Sequence, residues 1–213
     1  MKYIILADSD NVEPFTIPRQ LSEVHGETLI GRTIRLLKEN GIEDIIVTSH
    51  DPRVDGLGAT RYEPLHNDWR PRQETGYWLS GFPWELLNEP ITFLFGDGYY
   101  SEEAIKKIIG TSTESVLFFC SYKNKGARYI KHHDEPLAFK VVDCALFKRH
   151  IERCKRLFDE GGRKGRNPIA WELYRSLNGI DIHKHELKGN VIIINDESCD
   201  VDRCEDVGLL NAI

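Results

Sequence analysis

The chain is expected to adopt an α/β fold, a Rossmann-like, doubly wound and mainly parallel sheet with helices on its faces. Three observations carry this. Short apolar runs of strand length alternate with segments of helical period along all 213 residues. The helical segments present their apolar residues on one face, as helices packed on a sheet must. One apolar run, 91–95, ends at Gly96-Asp97 just before a helix start, and open α/β sheets take their ligands at the carboxyl ends of strands.

The elements follow in order. Residues 3–7 read as a short buried strand. Residues 27–40 read as a helix, with Ile30, Ile34 and Leu37 on one face and Gly41 as its stop. "EDIIVTS" (43–49) is a strand and "ATRYEP" (59–64) a shorter one. Residues 76–87 are apolar and aromatic and read as a helix disturbed by Gly81 and Pro83. The 91–95 strand follows, then a helix over 101–109 with Ile105, Ile108 and Ile109 inward. "SVLFFCSY" (115–122) is a strand and "LAFKVVD" (137–143) alternates like one. Phe147, Ile151, Cys154 and Phe158 mark one face of the next helix. Asn167 reads as an N-cap with Pro168 in the first turn, ahead of Ile169, Leu173 and Leu177. "NVIIIND" (190–196) is a last strand and 205–213 a last short helix. Neither repeat nor linker interrupts the pattern, so one domain over 1–213 is expected, with 160–168 as its most flexible stretch.

Composition narrows the function. The chain is 40% hydrophobic and 29% charged, as in a soluble globular protein. A net charge of −6 argues against a general nucleic-acid partner. No apolar window approaches a membrane span, so no membrane partner is expected. "MKYIILADSD" reads as a first strand and not as a signal peptide, which makes the expected location cytoplasmic. Five cysteines without a CxxC pair fit reduced thiols filling small core sites, not a zinc centre.

Two acidic places stand out. Asp97 is the first. The second is "SCDVDRCEDVGLLNAI", where Asp200, Asp202, Glu205 and Asp206 follow the last strand. Glu205 and Asp206 suit the first turn of a helix, where negative charge is favourable. One of Asp200 and Asp202 is expected to join Asp97 around a divalent cation. Lys140, inside an alternating strand, either points into a cleft or lays its stem along apolar surface. Tyr99 and Tyr100 either stack on a sugar or base or pack beneath a loop. Arg61, Arg70 and Arg72, and Arg163, Lys164 and Arg166, are basic groups in surface loops. "KHHDEP" (131–136) reads as a polar loop, because adjacent histidines in an extended segment face opposite ways.

The segment "PFTIPRQLSEVHGETLIGRTIRLLKENGIEDIIVTS", with "FLFGDGYYS" and "DVDRCEDV" in the same order, resembles the sugar-nucleotide pyrophosphorylase and cytidylyltransferase family. That family has a first strand, a Gly-rich loop, Pro-Lys-x-Leu and a Leu-Ile helix. A strand-ending metal Asp and a C-terminal acidic segment follow. "NDWRPRQETGYWLSGF" (67–82) is similar to its choline-phosphate cytidylyltransferase type.

The resemblance implies a Mg²⁺-dependent nucleotidyltransferase acting on a nucleoside triphosphate and a sugar or alcohol phosphate, with release of pyrophosphate. It implies that Asp97 and Asp202 hold Mg²⁺ and that Arg19, Asp97 and Lys140 are catalytic. Leu6, Ala7, Asp8, Ser9, Arg19, Gly96 and Asp97 would line the nucleotide. Arg19 stands where the family has lysine. The Gly-rich phosphate loop is replaced by Asp8-Ser9-Asp10-Asn11-Val12-Glu13, which sets acids where polyphosphate would lie. Alternatives on the same frame are a nucleotide-sugar-dependent glycosyltransferase and a non-catalytic nucleotide- or sugar-binding protein.

Overall fold

A computed structural model of the protein describes residues 1–7, 15–65, 78–121, 134–160 and 168–213. In chain order its elements are β1 (Lys2–Leu6), β2 (Glu23–Val24), β3 (Glu27–Thr28), α1 (Leu29–Glu39), β4 (Ile45–Thr48) and β5 (Thr60–Tyr62). Then come β6 (Ile91–Phe95), β7 (Gly98–Tyr99), α2 (Glu102–Gly110), β8 (Val116–Ser121), β9 (Pro136–Val141) and α3 (Cys144–Asp159). Last are α4 (Ala170–Leu177), β10 (Val191–Ile194), β11 (Cys199–Asp200) and α5 (Cys204–Leu210).

Among the described residues, seven strands form the main sheet in the order β10-β8-β9-β6-β1-β4-β5. β1 lies parallel to β4 on one side and to β6 on the other. β4–β5 and β8–β10 are parallel as well. β9 runs against its neighbours, antiparallel to both β6 and β8. The doubly wound, mainly parallel sheet is therefore present, with one reversed strand that the sequence reading did not distinguish.

Alternate residues of each strand enter opposite layers, and both layers are buried, which explains the nearly unbroken apolar runs. Tyr3, Ile5, Leu94, Phe119 and Ala138 pack with Ile30, Ile34 and Leu37 of α1 and Ile105 and Ile108 of α2. Ile4, Phe93, Phe118 and Phe139 pack on the other side with Phe147 and Ile151 of α3 and Leu173 and Tyr174 of α4. That second layer is dominated by rings: Phe93 stacks on Phe147 at 5.8 Å and Phe118 on Tyr174 at 4.8 Å.

Local chemistry starts the helices. The Thr28 hydroxyl accepts the Gly31 N–H at 3.1 Å to cap α1, and the Ser101 hydroxyl accepts the Ala104 N–H at 2.9 Å to cap α2. Two expected elements differ. A helix was expected over 76–87, of which 76 and 77 lie outside the described residues; the rest forms two short 3₁₀ turns, Trp78–Gly81 and Trp84–Leu86. Pro83 between them has no N–H to continue a helix. α4 starts two residues later than the Asn167-Pro168 signal implies: Ile169 occupies the N-cap, and its N–H is held by the Glu172 carboxylate at 3.0 Å. Asn167 lies outside the described residues. No helix among the described residues is long and apolar enough to cross a membrane.

The chain leaves β1 toward β4 and β5, then returns to the other side of β1 as β6, so the winding direction reverses between β1 and β6. Such a switch point opens a crevice beyond the carboxyl ends of the two strands. Here the two ends are drawn tightly together. Gly96 N–H donates to the Leu6 carbonyl at 2.8 Å. A Cβ at position 96 would sit 2.7 Å from the Leu6 carbonyl oxygen and 2.9 Å from the Ala7 Cβ. Below this seam the fully buried Tyr100 hydroxyl lies 3.0 Å from the Phe95 carbonyl and 2.6 Å from the Leu137 carbonyl, tying β6 to β9. At the far edge of the sheet, the Lys107 ammonium of α2 donates to the Ile193 carbonyl of β10 at 2.8 Å.

Gly96→Ala is expected to destabilise the protein by about 1–3 kcal/mol in urea titration, the usual cost of forcing a methyl into a filled space. Gly110→Ala is its control. An added methyl there meets nothing within 4 Å, so the change is expected to stay within about 0.5 kcal/mol of zero.

Candidate active site

The switch point carries a charged cluster assembled from four separate parts of the chain. The first part is the 3₁₀ turn Arg19–Leu21, which starts at Pro18 and is closed by Leu21 N–H to Pro18 carbonyl at 2.9 Å. Gln20 is buried and donates its amide to the Ala7 carbonyl at 2.7 Å, which fastens this turn to the end of β1. Arg19 is thereby set over the crevice.

The second part is the Gly96-Asp97 turn that leaves β6. The third is the 199–202 segment. β7 and β11 form a two-stranded antiparallel ribbon with Asp200 opposite Gly98 and Cys199 opposite Tyr99. Val201 N–H donates to the Asp97 carbonyl at 2.9 Å. The ribbon explains why residues a hundred positions apart in sequence share one site.

Arg19 bridges the two acidic parts. One guanidinium nitrogen lies 3.1 Å from Asp97 Oδ2 and the other 2.8 Å from Asp202 Oδ1. The side chains are 16%, 24% and 36% exposed respectively, so these pairs are screened less than surface pairs and still face a crevice. Burial works against the Arg19 charge, but Asp97, Asp200 and Asp202 outweigh it and hold the guanidinium above its ordinary pKa. Asp200 responds in the opposite sense. Burial first, then Asp97, Asp202 and Glu135, push its carboxyl well above the usual range, with Arg19 pulling the other way. Glu135, buried at the start of β9, completes the group: Glu135, Asp200 and Asp202 each offer one carboxylate oxygen within 4.8 Å of the others.

Several expected residues therefore meet. Arg19, Gly96, Asp97 and Asp202 come together, with Leu6 and Ala7 at the end of β1 supplying carbonyls to Gly96 and Gln20. Asp8 and Ser9 lie outside the described residues, as do Arg70, Arg72, Arg163, Lys164 and Arg166. The expected ion between Asp97 and Asp202 has a protein counterpart, since the Arg19 guanidinium itself occupies that position.

Lys140 is not with them. It pairs in register with Thr92 and Leu117, near the amino ends of β6 and β8. Its ammonium donates to the Ile109 and Thr111 carbonyls at 3.0 and 2.6 Å, at the end of α2. It caps a helix C-terminus, where a positive charge is favoured, and the catalytic role expected for it is withdrawn. Burial pushes its pKa down. Tyr100 is core, and Tyr99 is buried with Val201 and Leu210 under the Arg32 guanidinium, 4.7 Å from its ring centre. Both tyrosines pack rather than stack on a ligand. Arg61 pairs with Asp55 and Glu63 on the surface. Asp206 caps α5 by accepting the Asp202 and Arg203 N–H groups, each at 3.0 Å.

Glu135 and Asp200 were not among the expected site residues. Glu135 precedes a strand whose reversal brings its amino end to the ligand edge. Of Asp200 and Asp202 one alone was expected, and the structure brings both to Glu135.

The fold can be compared with solved structures. A 4-diphosphocytidyl-2C-methyl-D-erythritol synthase from Anaerococcus prevotii matches with a TM-score of 0.60 at 12% identity, over 99% of this chain and 94% of that one. A putative glucose-1-phosphate thymidylyltransferase from Bacillus anthracis matches with a TM-score of 0.57 at 14% identity, over 99% and 94%. CTP:phosphocholine cytidylyltransferase from Streptococcus pneumoniae matches with a TM-score of 0.53 at 16% identity, over 99% and 97%. No family model and no curated protein sequence matches the chain. At these identities the likeness is one of architecture, and the chain has the nucleotide-diphospho-sugar transferase-like fold of these nucleotidyltransferases.

Proposed function

We propose that the protein is a nucleotidyltransferase that moves a nucleoside monophosphate from a nucleoside triphosphate to a sugar phosphate or alcohol phosphate. The observation that carries this reading is Arg19 held between Asp97 and Asp202 at the switch point of the sheet. A clamped cation beside several acids, at the carboxyl edge of the strands, is a suitable arrangement for polyphosphate chemistry. The shared fold of the cytidylyl- and thymidylyltransferases supports it.

The reaction asks for positioning and charge. An acceptor phosphate oxygen attacks the α-phosphorus in line, the new P–O bond forms, and the bond to the bridging oxygen breaks with pyrophosphate leaving as the anion. Arg19 presents a planar fork of donors, suited to two phosphate oxygens at once. Gln20 and the Pro18 turn hold it at the mouth of the crevice. The acids fit a hard divalent cation, because their donors are all carboxylate oxygens and Asp200 Oδ1 is a buried atom without a hydrogen-bond partner among the described residues. Mg²⁺ bound by Asp202, with Asp97 and Asp200 beside it, would neutralise phosphate charge.

The direct test supplies each nucleoside triphosphate with Mg²⁺ and a panel of phosphorylated acceptors and measures pyrophosphate. One triphosphate–acceptor pair is expected to turn over. Arg19→Ala is expected to lower nucleotide affinity or rate roughly ten- to hundredfold, the loss of one charge-assisted contact of about 1.5–3 kcal/mol. Arg19→Lys is expected to recover part of it. Unchanged nucleotide binding in Arg19→Ala would remove the assignment. Nucleotide-sugar turnover without pyrophosphate would point to the glycosyltransferase alternative.

Lys140→Met provides the opposite readout. It leaves the Ile109 and Thr111 carbonyls without their buried donor. Thermal melting is expected to show a loss of about 1–3 kcal/mol, with nucleotide affinity unchanged.

A further inference from the structure

The ladder between β6 and β9 stops one pair short of where both strands allow it. Its register runs from Ile91 opposite Val141 to Leu94 opposite Ala138. The next pair, Phe95 and Leu137, still lies within both strands. There the Tyr100 hydroxyl stands between them, 3.0 Å from the Phe95 carbonyl and 2.6 Å from the Leu137 carbonyl. A phenol has one proton to donate, so the nearer Leu137 carbonyl takes it and the Phe95 carbonyl shares it at longer range. A side chain thus stands in for a missing backbone rung. The outer side of β9 is irregular at the same level. Pro136, which has no N–H, pairs with Cys120 across a register shift between Phe119 and Cys120.

The place where the strands part is the place where the acids sit. Phe95 lies two residues before Asp97, and Leu137 two residues after Glu135. The ring reaches a third acid through Gly98. A Cβ at Gly98 would lie 2.9 Å from Cε2 of Tyr100 and 3.0 Å from its hydroxyl oxygen, so this backbone rests on the ring. Gly98 is the residue opposite Asp200 in the ribbon. Tyr100 is itself firmly held. It is fully buried, Arg32 Nε donates to its carbonyl at 2.9 Å, and the Ser101 N–H that follows donates to the Ser198 hydroxyl at 2.9 Å. Arg19 has a separate anchor, through Gln20 on the Ala7 carbonyl.

We propose that Tyr100 is a positioning residue for the crevice: its hydroxyl, in place of a backbone rung, sets the spacing of Asp97 and Glu135, and its ring supports the Gly98 backbone opposite Asp200. The tie is a property of the fold, whereas its effect on turnover rests on the reaction proposed above. Tyr100 acts through the acids, and Arg19 is anchored elsewhere. Loss of the hydroxyl therefore falls on the rate of transfer and not on nucleotide binding. A tyrosine that served stability alone would show no such split.

The test compares wild type, Tyr100→Phe and Lys140→Met as full chains. Hydrogen exchange is read by mass spectrometry, triphosphate binding by calorimetry, and turnover with the triphosphate–acceptor pair identified above. Tyr100→Phe keeps the ring and removes only the oxygen. Its exchange is expected to speed up about tenfold or more over 95–98 and 135–138, with β4 changing far less. Its kcat is expected to fall about tenfold while triphosphate affinity stays within about twofold of wild type, because misplaced groups cost rate. Lys140→Met, on the same strand but away from the crevice, is expected to lose stability with kcat unchanged. Exchange raised equally throughout Tyr100→Phe would overturn the proposal, since the hydroxyl would then serve global stability alone. So would an equal kcat loss in Lys140→Met, or a loss of triphosphate affinity in Tyr100→Phe as large as that in Arg19→Ala. Local exchange in Tyr100→Phe, with no turnover of any triphosphate by wild type, would leave the tie standing and remove the reaction. Turnover in wild type with unchanged kcat in Tyr100→Phe would do the reverse.

Discussion

β6 is bonded on one side to a parallel strand and on the other to an antiparallel one. That asymmetry organises the molecule. The parallel side, with β1, creates the switch point and draws Leu6 against Gly96. The antiparallel side, with β9, brings a strand's beginning, not its end, to the ligand edge. The acidic cluster is therefore fed from both sides: Asp97 from the end of β6, Glu135 from the start of β9. A β9 running the other way would exchange Glu135 for the Val141 end and dissolve the cluster.

The second constraint is electrostatic. The crevice gathers like charges that would repel in the absence of a cation, and the fold accepts them because backbone pairing leaves little choice. β7 and β11 lock Asp200 opposite Gly98, and Val201 N–H holds the Asp97 carbonyl. Arg19 then relieves part of the repulsion from outside the sheet, on a turn fixed by Pro18 and Gln20. The site is thus strained by charge while being firmly held in geometry. This is the pattern expected where stability has been traded against binding.

Most of the architecture was legible in the sequence because it follows from periodicity. Strands buried on both faces leave continuous apolar runs, and α1 and α2 announce themselves by one-sided apolar spacing and by Thr28 and Ser101 caps. The direction of β9 was not legible, since apolar alternation is the same read either way along a strand. From that single ambiguity come both the misplacement of Lys140 and the omission of Glu135, which sit toward opposite ends of the same strand. Asp97 was legible because its turn directly follows a buried strand. Asp200 and Asp202 were read as rivals, although residues two apart in an extended segment share a face; both carboxylates approach Glu135 where the chain leaves the ribbon and turns into α5. The helix expected over 76–87 failed for a local reason, a proline between two short turns.

The free edge of the sheet at β10 has a different consequence. Val191–Ile194 is a β-branched apolar run that, among the described residues, has a strand on one side only, and Ile193 is 36% exposed. Such a border can recruit a strand from another molecule and grow into an intermolecular stack. The Lys107 ammonium on the Ile193 carbonyl takes up one of its acceptors and places a charge where an incoming strand would have to lie. One lysine on α2 thus guards this border, at a distance from the crevice.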